Sequence, residues 1–101
     1  MSAGIIPSYI VASVGTQTSV ISAAVDTTIL LANSSRLGSA LTNDSTAILY
    51  LLVASGTSST TNYTVKLAPG AYYEVPLNYV GIIKGIWSAA NGSARVTEWT
   101  A

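Results

Sequence analysis

The sequence predicts an all-β protein, an antiparallel β-sandwich of about seven to eight short strands. Val, Ile, Thr and Tyr dominate the chain, and turn residues recur about every eight to twelve positions, the spacing of a sandwich or barrel. The periodicity of an amphipathic helix is nearly absent. With 101 residues the chain is long enough for one domain and one hydrophobic core, and too short for two.

The predicted strands follow one another with turn residues between them. They cover residues 9–14, 25–31, 36–42, 47–54, 63–67, 71–75, 80–87 and 94–99. Pro69-Gly70 suits the centre of a type II turn. Pro76 ends the strand before it, because proline cannot donate a hydrogen bond to a ladder. Residues 55–62, rich in Ser and Thr, are predicted to form an exposed loop, and residues 43–46 an ordinary turn.

The pair Asn91-Gly92 predicts a hairpin between the last two strands, because both residues tolerate the positive φ of a type I′ turn. In that register Trp87 lies opposite Val96. One face of the hairpin carries a core-like set, Ile83, Trp87, Ala94 and Val96. The other face carries a mixed set that could form an interface, Lys84, Ile86, Ser88, Arg95, Thr97 and Trp99.

Residues 1–22 differ from the sandwich domain predicted at 23–101. They contain Pro7, Gly15 and a Thr, Gln and Ser cluster, and their apolar residues alternate only weakly. Two interpretations are open: an extended arm that adds a strand to a neighbouring subunit, or a first strand within its own sandwich. The candidate interface residues from the arm and the hairpin are Ile5, Ile6, Tyr9, Ile10, Lys84, Ile86, Arg95 and Trp99.

Low charge favours association. Half of the residues are hydrophobic and only 8% are charged, against about 25% in ordinary soluble proteins, and the net charge is zero. The alternative is a soluble monomer whose polarity comes from Ser, Thr and Asn. Four scattered basic residues do not form the basic stripe that nucleic-acid binding requires. The apolar run 47–54 is too short to span a bilayer, so no membrane partner is expected.

The residue types available for catalysis are few. The chain has no His and no Cys, which excludes the usual nucleophilic triads and makes a zinc site improbable. The carboxylates available for an acid–base pair are Asp26, Asp44, Glu74 and Glu98. The sequence therefore predicts a non-enzymatic protein with no cofactor and no metal. Its Tyr and Trp residues are expected in cross-strand packing or at a subunit interface, or as a sugar-stacking platform.

Three segments of the chain carry a recognisable pattern. They are LAPGAYYEVP at 67–76, VGIIKGIW at 80–87 and ANGSARVTEW at 90–99. From about Arg36 to the C-terminus, the chain resembles small virion proteins of tailed bacteriophages, which include head decoration proteins and bases of head spikes or fibres.

The resemblance implies a capsid decoration or cement subunit that stabilises the head. Expected partners are the major capsid protein or other virion proteins, and further copies of the chain in a homo-oligomer, with a trimer as the expected form. The expected location is the virion, assembled in the host cytoplasm. The alternatives are a tail, fibre or head-spike-base component, and a carbohydrate-binding module that stacks sugars on Trp87 or Trp99.

Overall fold

The computed structural model describes residues 11–76 and 78–101, all of which lie in strands, turns or irregular segments and none in a helix. The candidate interface residues Ile5, Ile6, Tyr9 and Ile10 lie outside this range. The strands are β1 Val14–Ile21, β2 Thr27–Leu30, β3 Gly38–Ser45, β4 Leu49–Leu52, β5 Val65–Leu67, β6 Tyr72–Val75, β7 Ile83–Trp87 and β8 Gly92–Thr100.

The eight strands form two antiparallel sheets of four, which confirms the predicted β-sandwich. The first sheet has the order β1-β8-β3-β6, and the second has the order β2-β7-β4-β5. Among the hydrogen-bonded pairs are β1 with β8, β2 with β7, β3 with β6 and β4 with β5. The chain is therefore one long hairpin of four strand pairs rolled into two sheets, which is the connectivity of a jelly roll.

The core lies between the sheets and follows from the two-residue alternation of each strand. Its buried hydrophobic residues are Ile29, Leu41, Ala47, Leu49, Leu51, Leu67, Val75, Ile83, Trp87, Ala94 and Val96. Removing one such large side chain from water stabilises the fold by about 1.5–3 kcal/mol.

The predicted hairpin between the last two strands is wrong, although its apolar face is confirmed as core. β7 belongs to the second sheet and β8 to the first, so residues 88–91 pass from one sheet to the other. Trp87 and Val96 are both almost fully buried, but they come from opposite sheets. Glycine is needed at position 92 for a reason other than a hairpin turn, because its φ is 152°. A Cβ there would lie 2.6 Å from the Asp44 carbonyl oxygen.

The Pro69-Gly70 turn is confirmed. Gly70 has φ 80°, and the N–H of Ala71 donates to Ala68 O at 3.0 Å, as a type II turn requires. The turn carries the chain from β5 in the second sheet to β6 in the first. β6 ends at Val75, directly before Pro76, as predicted.

The predicted turn at residues 43–46 is wrong, because β3 continues through Ser45. The side chain of Asn43 is fully buried, and its amide hydrogen-bonds from β3 of the first sheet to β5 and β7 of the second. Its Nδ2 donates to Ala47 O at 2.8 Å and Leu67 O at 3.0 Å, and its Oδ1 accepts a hydrogen bond from Trp87 Nε1 at 3.1 Å. A residue typical of turns is placed inside the core because every polar atom of its amide has a partner there.

The first strand within the described residues differs from the expected one. Of the strand expected at 9–14, residues 9 and 10 lie outside the described residues and residues 11–13 are irregular. β1 covers 14–21 and pairs with β8 over its whole length, from Val14 opposite Thr100 to Ile21 opposite Ser93. Residues 14–21 are thus a strand of the sandwich itself, at the edge of the first sheet.

Candidate interaction surface

All four carboxylates lie within the described residues, and each contacts a different donor. Glu98 accepts a hydrogen bond from Arg36 Nε at 2.7 Å, Asp44 from Arg95 Nε at 3.0 Å, and Glu74 from Tyr72 Oη at 3.2 Å. Asp26 is bound by two residues, described below. In the described ranges, no three His, Cys, Asp or Glu side chains group as metal ligands do.

Arg36 closes one end of the sandwich. Its side chain is fully buried, and besides Glu98 it donates to Gly81 O at 2.8 Å and Leu31 O at 2.6 Å. The guanidinium therefore joins the ends of β2 and β8 to the segment before β7. A buried charge with this many partners positions the chain, because leaving it unpaired would be costly.

The four predicted interface residues of β7 and β8 do not form one surface. Lys84 and Ile86 point outward from the second sheet, whereas Arg95 and Trp99 point outward from the first. The predicted mixed face is therefore divided between opposite sides of the sandwich. The physical reason is that β7 and β8 face each other across the core instead of pairing edge to edge.

Part of the outer face of the second sheet lies against the chain's own loop, residues 53–64, called the covering loop below. Tyr63 of this loop packs edge-to-face on Tyr50 of β4, with ring centroids 5.2 Å apart. Ser58 is 2% exposed, although it was predicted to lie in an exposed loop. Its N–H and Oγ bind Asp26 Oδ1 at 2.9 and 2.5 Å, and Lys84 Nζ binds Asp26 Oδ2 at 2.8 Å. Under this loop Leu52, which points outward from β4, is 5% exposed.

The contacts of Asp26 change its acidity. The hydrogen bond from Lys84 is the largest cause, and the bonds from Ser58 act in the same direction. Together they hold the pKa of the Asp26 carboxyl below its ordinary value of 3.8, against an opposing effect of burial. Lys84 and Ser58 of the covering loop thus share one carboxylate, that of Asp26.

The outer face of the first sheet has a different character and is called the open face. Its polar contacts join neighbouring strands: Arg95 on β8 binds Asp44 on β3, and its Nη1 donates to Ser19 Oγ on β1 at 3.3 Å. The other outward side chains are mostly small, polar or aromatic, and the large aliphatic exception is Ile21 at the end of β1, which is 80% exposed. They include Gln17, Thr42, Tyr72, Glu74, Thr97 and Trp99.

Trp99 is the aromatic residue of β8, and its indole lies on the open face. In the sheet it lies between Gly15 of β1 and Gly38 of β3. A Cβ on Gly15 would lie 3.2 Å from Trp99 Cδ1, so glycine allows the indole to lie close against β1. On the other side is a shallow cavity of about 250 Å³, lined by Gly38, Ser39, Glu74, Val75 and Trp99. Trp87, by contrast, is 1% exposed and cannot stack on a sugar.

The side of the sandwich formed by β1 and β2 exposes apolar surface and is called the apolar side. Among the described residues eight large hydrophobic side chains are exposed, and five of them lie between residues 11 and 31. These five are Val11, Val14, Ile21, Val25 and Leu31, each 49–80% exposed. A second cavity of about 440 Å³ includes Leu31 in its lining, which consists of residues 28–33 of the β2 region and Glu98.

Sequence reasoning missed the covering loop, the glycines beside Trp99 and the apolar side. The loop could not be found, because a Ser-rich segment carries no signal for the carboxylate it will bind. The apolar side did carry a signal, since Val14, Ile21 and Val25 are apolar residues in a segment that alternates weakly.

The comparisons with known proteins add no further assignment. The chain matches no known protein family, and no curated protein or solved structure is significantly similar to it. Residues 11–76 and 78–101 include no helix of the length and apolar character needed to cross a membrane.

Proposed function

We propose that the protein is a non-enzymatic structural subunit of a tailed-phage virion, attached to the capsid as a decoration or cement protein. The observation that carries this proposal is the apolar side, where five large hydrophobic side chains are exposed in a domain with 8% charged residues. These side chains are distributed along that side, with Val14 and Ile21 at the two ends of β1. So much exposed apolar surface on one side of a weakly charged domain favours association with another protein.

The mechanism of such a subunit is binding. A subunit that contacts only the assembled capsid stabilises it by mass action. A stable contact buries roughly 800 Å² on each partner. The apolar side offers Val25 and Leu31 to such a contact, at 65% and 72% exposure.

The charged groups support the same proposal. Arg36, Lys84 and Arg95 bind carboxylates of their own chain. These three cations are thus engaged within the chain, so a contact at the apolar side would be mainly hydrophobic.

The resemblance of segments 67–76, 80–87 and 90–99 to phage virion proteins directs the proposal to the capsid. The same features fit a tail, fibre or head-spike-base component.

Counting copies in purified particles separates these locations. Hundreds of copies in each particle support a decoration subunit, and a few to some dozens support a tail or spike component. Absence from the particle would contradict both.

A binding experiment tests the surface itself. Leu31→Ser, a change at an exposed position of the apolar side, should weaken attachment to undecorated capsids about tenfold, which corresponds to about 1.4 kcal/mol. Tyr72→Ser is the matched control, because Tyr72 is 58% exposed but lies on β6, away from this side. Equal affinities for the two variants would contradict the assigned surface.

The cavity beside Trp99 favours a second candidate function, a carbohydrate-binding module. Jelly rolls occur in viral capsids and in lectins, so the fold does not choose between them. An indole next to the carboxylate of Glu74 offers a sugar both a stacking surface and a hydrogen-bond acceptor. Glycan-array binding that is lost in Trp99→Ala and kept in Leu31→Ser would support this module. Retention in both variants, or loss in both, would contradict it.

A further inference from the structure

The four edges of the two sheets differ sharply. β6 has four residues, includes Glu74 and stops at Pro76, and β2 has four residues with a register shift between Thr28 and Leu30. β5 has three residues, with Lys66 at its centre. Short length, charge, proline and irregular register are the features that prevent an edge from pairing with another chain.

β1 has none of these protective features. Its eight residues, VGTQTSVI, contain no charge and no proline, and they pair with β8 without a register shift. Seven of the eight residues are exposed, and no strand within the described ranges pairs with the outer edge. An edge of this kind is a template for strand addition.

The backbone groups at this edge can be assigned. The N–H of Ser22 donates to Gly92 O at 2.9 Å. Because hydrogen-bonded pairs alternate along an antiparallel ladder, the even-numbered residues of β1 bond to β8. The odd-numbered residues Gly15, Gln17 and Ser19 therefore direct their N–H and C=O groups outward.

The sequence of β1 is close to symmetric about Gln17. Read outward from that residue, Thr16 corresponds to Thr18, Gly15 to Ser19 and Val14 to Val20. An antiparallel pair related by a two-fold axis places each residue opposite its counterpart in this series. We propose that β1 pairs with β1 of a second copy of this chain, with the two-fold axis at Gln17.

In this register, side chains of matching polarity meet on both faces of the strand. On the inner face Val14, 49% exposed in the single chain, meets Val20 of the partner, and Thr16 meets Thr18. On the outer face the two Gln17 side chains lie opposite each other, and amides can both donate and accept. No charged residue of β1 opposes a like charge, and the two first sheets join into one sheet of eight strands.

The contact deepens the proposed function by naming the partner, and it rests on that function only in requiring that the protein acts as an oligomer. Each copy has one β1, so this contact by itself closes a dimer and cannot build a three-membered ring. The solution mass should therefore be twice 10.4 kDa. A monomer, or the trimer expected from the sequence, would overturn the proposal.

Two proline variants of the full chain test the edge. Gln17→Pro removes an N–H that points away from β8, so it should yield a monomer that still unfolds cooperatively. Thr18→Pro removes an N–H that bonds to β8, so it should lower the melting temperature strongly. A Gln17→Pro protein that remains dimeric by light scattering overturns the two-fold contact.

A crosslinking experiment tests the register without disturbing the backbone, since the chain has no cysteine of its own. Under mild oxidation, a mixture of Thr16→Cys and Thr18→Cys proteins should form disulfide dimers several-fold faster than either protein alone. Thr28→Cys, an equivalent change in a different edge strand, β2, is the control. Equal rates in the mixture, the single variants and the control would overturn the register. Particle counting is independent of this result, so the virion role and the two-fold contact fail separately.

Discussion

The two outer faces of the sandwich have opposite designs. Part of the second sheet lies against residues 53–64 of its own chain, where Ser58 of this loop and Lys84 of β7 both bind Asp26. The open face of the first sheet carries polar contacts that run between neighbouring strands, such as Arg95 with Asp44. The loop therefore shields part of one outer face, whereas the contacts on the other outer face run between its own strands.

The ion pairs follow the same division. The side chains of Lys84 and Asp26 are 18% and 24% exposed, whereas those of Arg95 and Asp44 are 58% and 56% exposed. Arg36, at 0%, is the extreme case. Exposed pairs contribute little to stability, and buried charges become costly when their partner is removed. Removing one partner should therefore cost most at the buried pair of Arg36 and least at the exposed pair of Arg95.

The largest expected contrast is between two arginines. Arg36→Ala should lower the free energy of unfolding by about 3–5 kcal/mol, because it leaves Glu98 and two backbone carbonyls without their donor. Arg95→Ala is the matched control, with an expected loss of about 0–1 kcal/mol. Urea unfolding measures both, and similar losses for the two variants would break the comparison.

The next contrast concerns Asp26 and Asp44. Asp26→Asn should cost about 1 kcal/mol at neutral pH, less than a buried charge because the carboxylate is partly exposed. Asp44→Asn should cost less than about 0.5 kcal/mol, since its pair is largely solvated. A greater loss for Asp44→Asn in urea unfolding would contradict the assignment of the covered face.

The acidity of Asp26 predicts how stability depends on pH. Because the folded-state pKa lies below 3.8, its stabilising contribution is fully present above pH 3.8. It is lost as pH falls below 3.8 and through the folded-state pKa. Urea midpoints of the wild type and Asp26→Asn should therefore converge as the pH is lowered through this range. A difference that stays constant with pH would show that Asp26 does not titrate in this way.

A smaller effect is expected at the covering loop. Ser58→Ala removes the hydroxyl donor to Asp26 and keeps the backbone donor, so a loss of about 0.5–1.5 kcal/mol is expected. Hydrogen exchange should also become faster in residues 53–64 and stay unchanged on the open face. Ser34→Ala, at an exposed position, serves as the control. Unchanged exchange in the loop would argue against Ser58 as its anchor.

The smallest effect is expected beside Trp99. Gly15→Ala places a methyl group 3.2 Å from the indole, so the ring must shift by a few tenths of an ångström. Tryptophan fluorescence should change its emission maximum, while the unfolding midpoint should move little. Gly38→Ala tests the other side of the ring, where Gly38 lines the cavity. A large stability loss in Gly15→Ala would show that the open face is less tolerant than the covered one.

The sequence by itself determined which side of β7 and which side of β8 is buried. Ile83, Trp87, Ala94 and Val96 were assigned to the core as one face of the predicted hairpin, and all four are at most 1% exposed although the hairpin is wrong. This works because the two-residue alternation of side chains belongs to the single strand and does not depend on its partner. The type II turn at Gly70 was equally local.

Only the tertiary structure decided which strands are neighbours. Lys84 and Trp99 were expected on one surface, and they lie on opposite faces because residues 88–91 cross between the sheets. A glycine at the start of a strand can be required by a tight hairpin turn or by the close approach of another backbone. The sequence does not distinguish these two causes, and for Gly92 the structure shows the second, an approach to the backbone of Asp44. Strand pairing depends on which distant segments come together around the common core. The entropy lost in closing the loops between them and the free energy gained by burying their apolar faces are not properties of any local stretch of sequence.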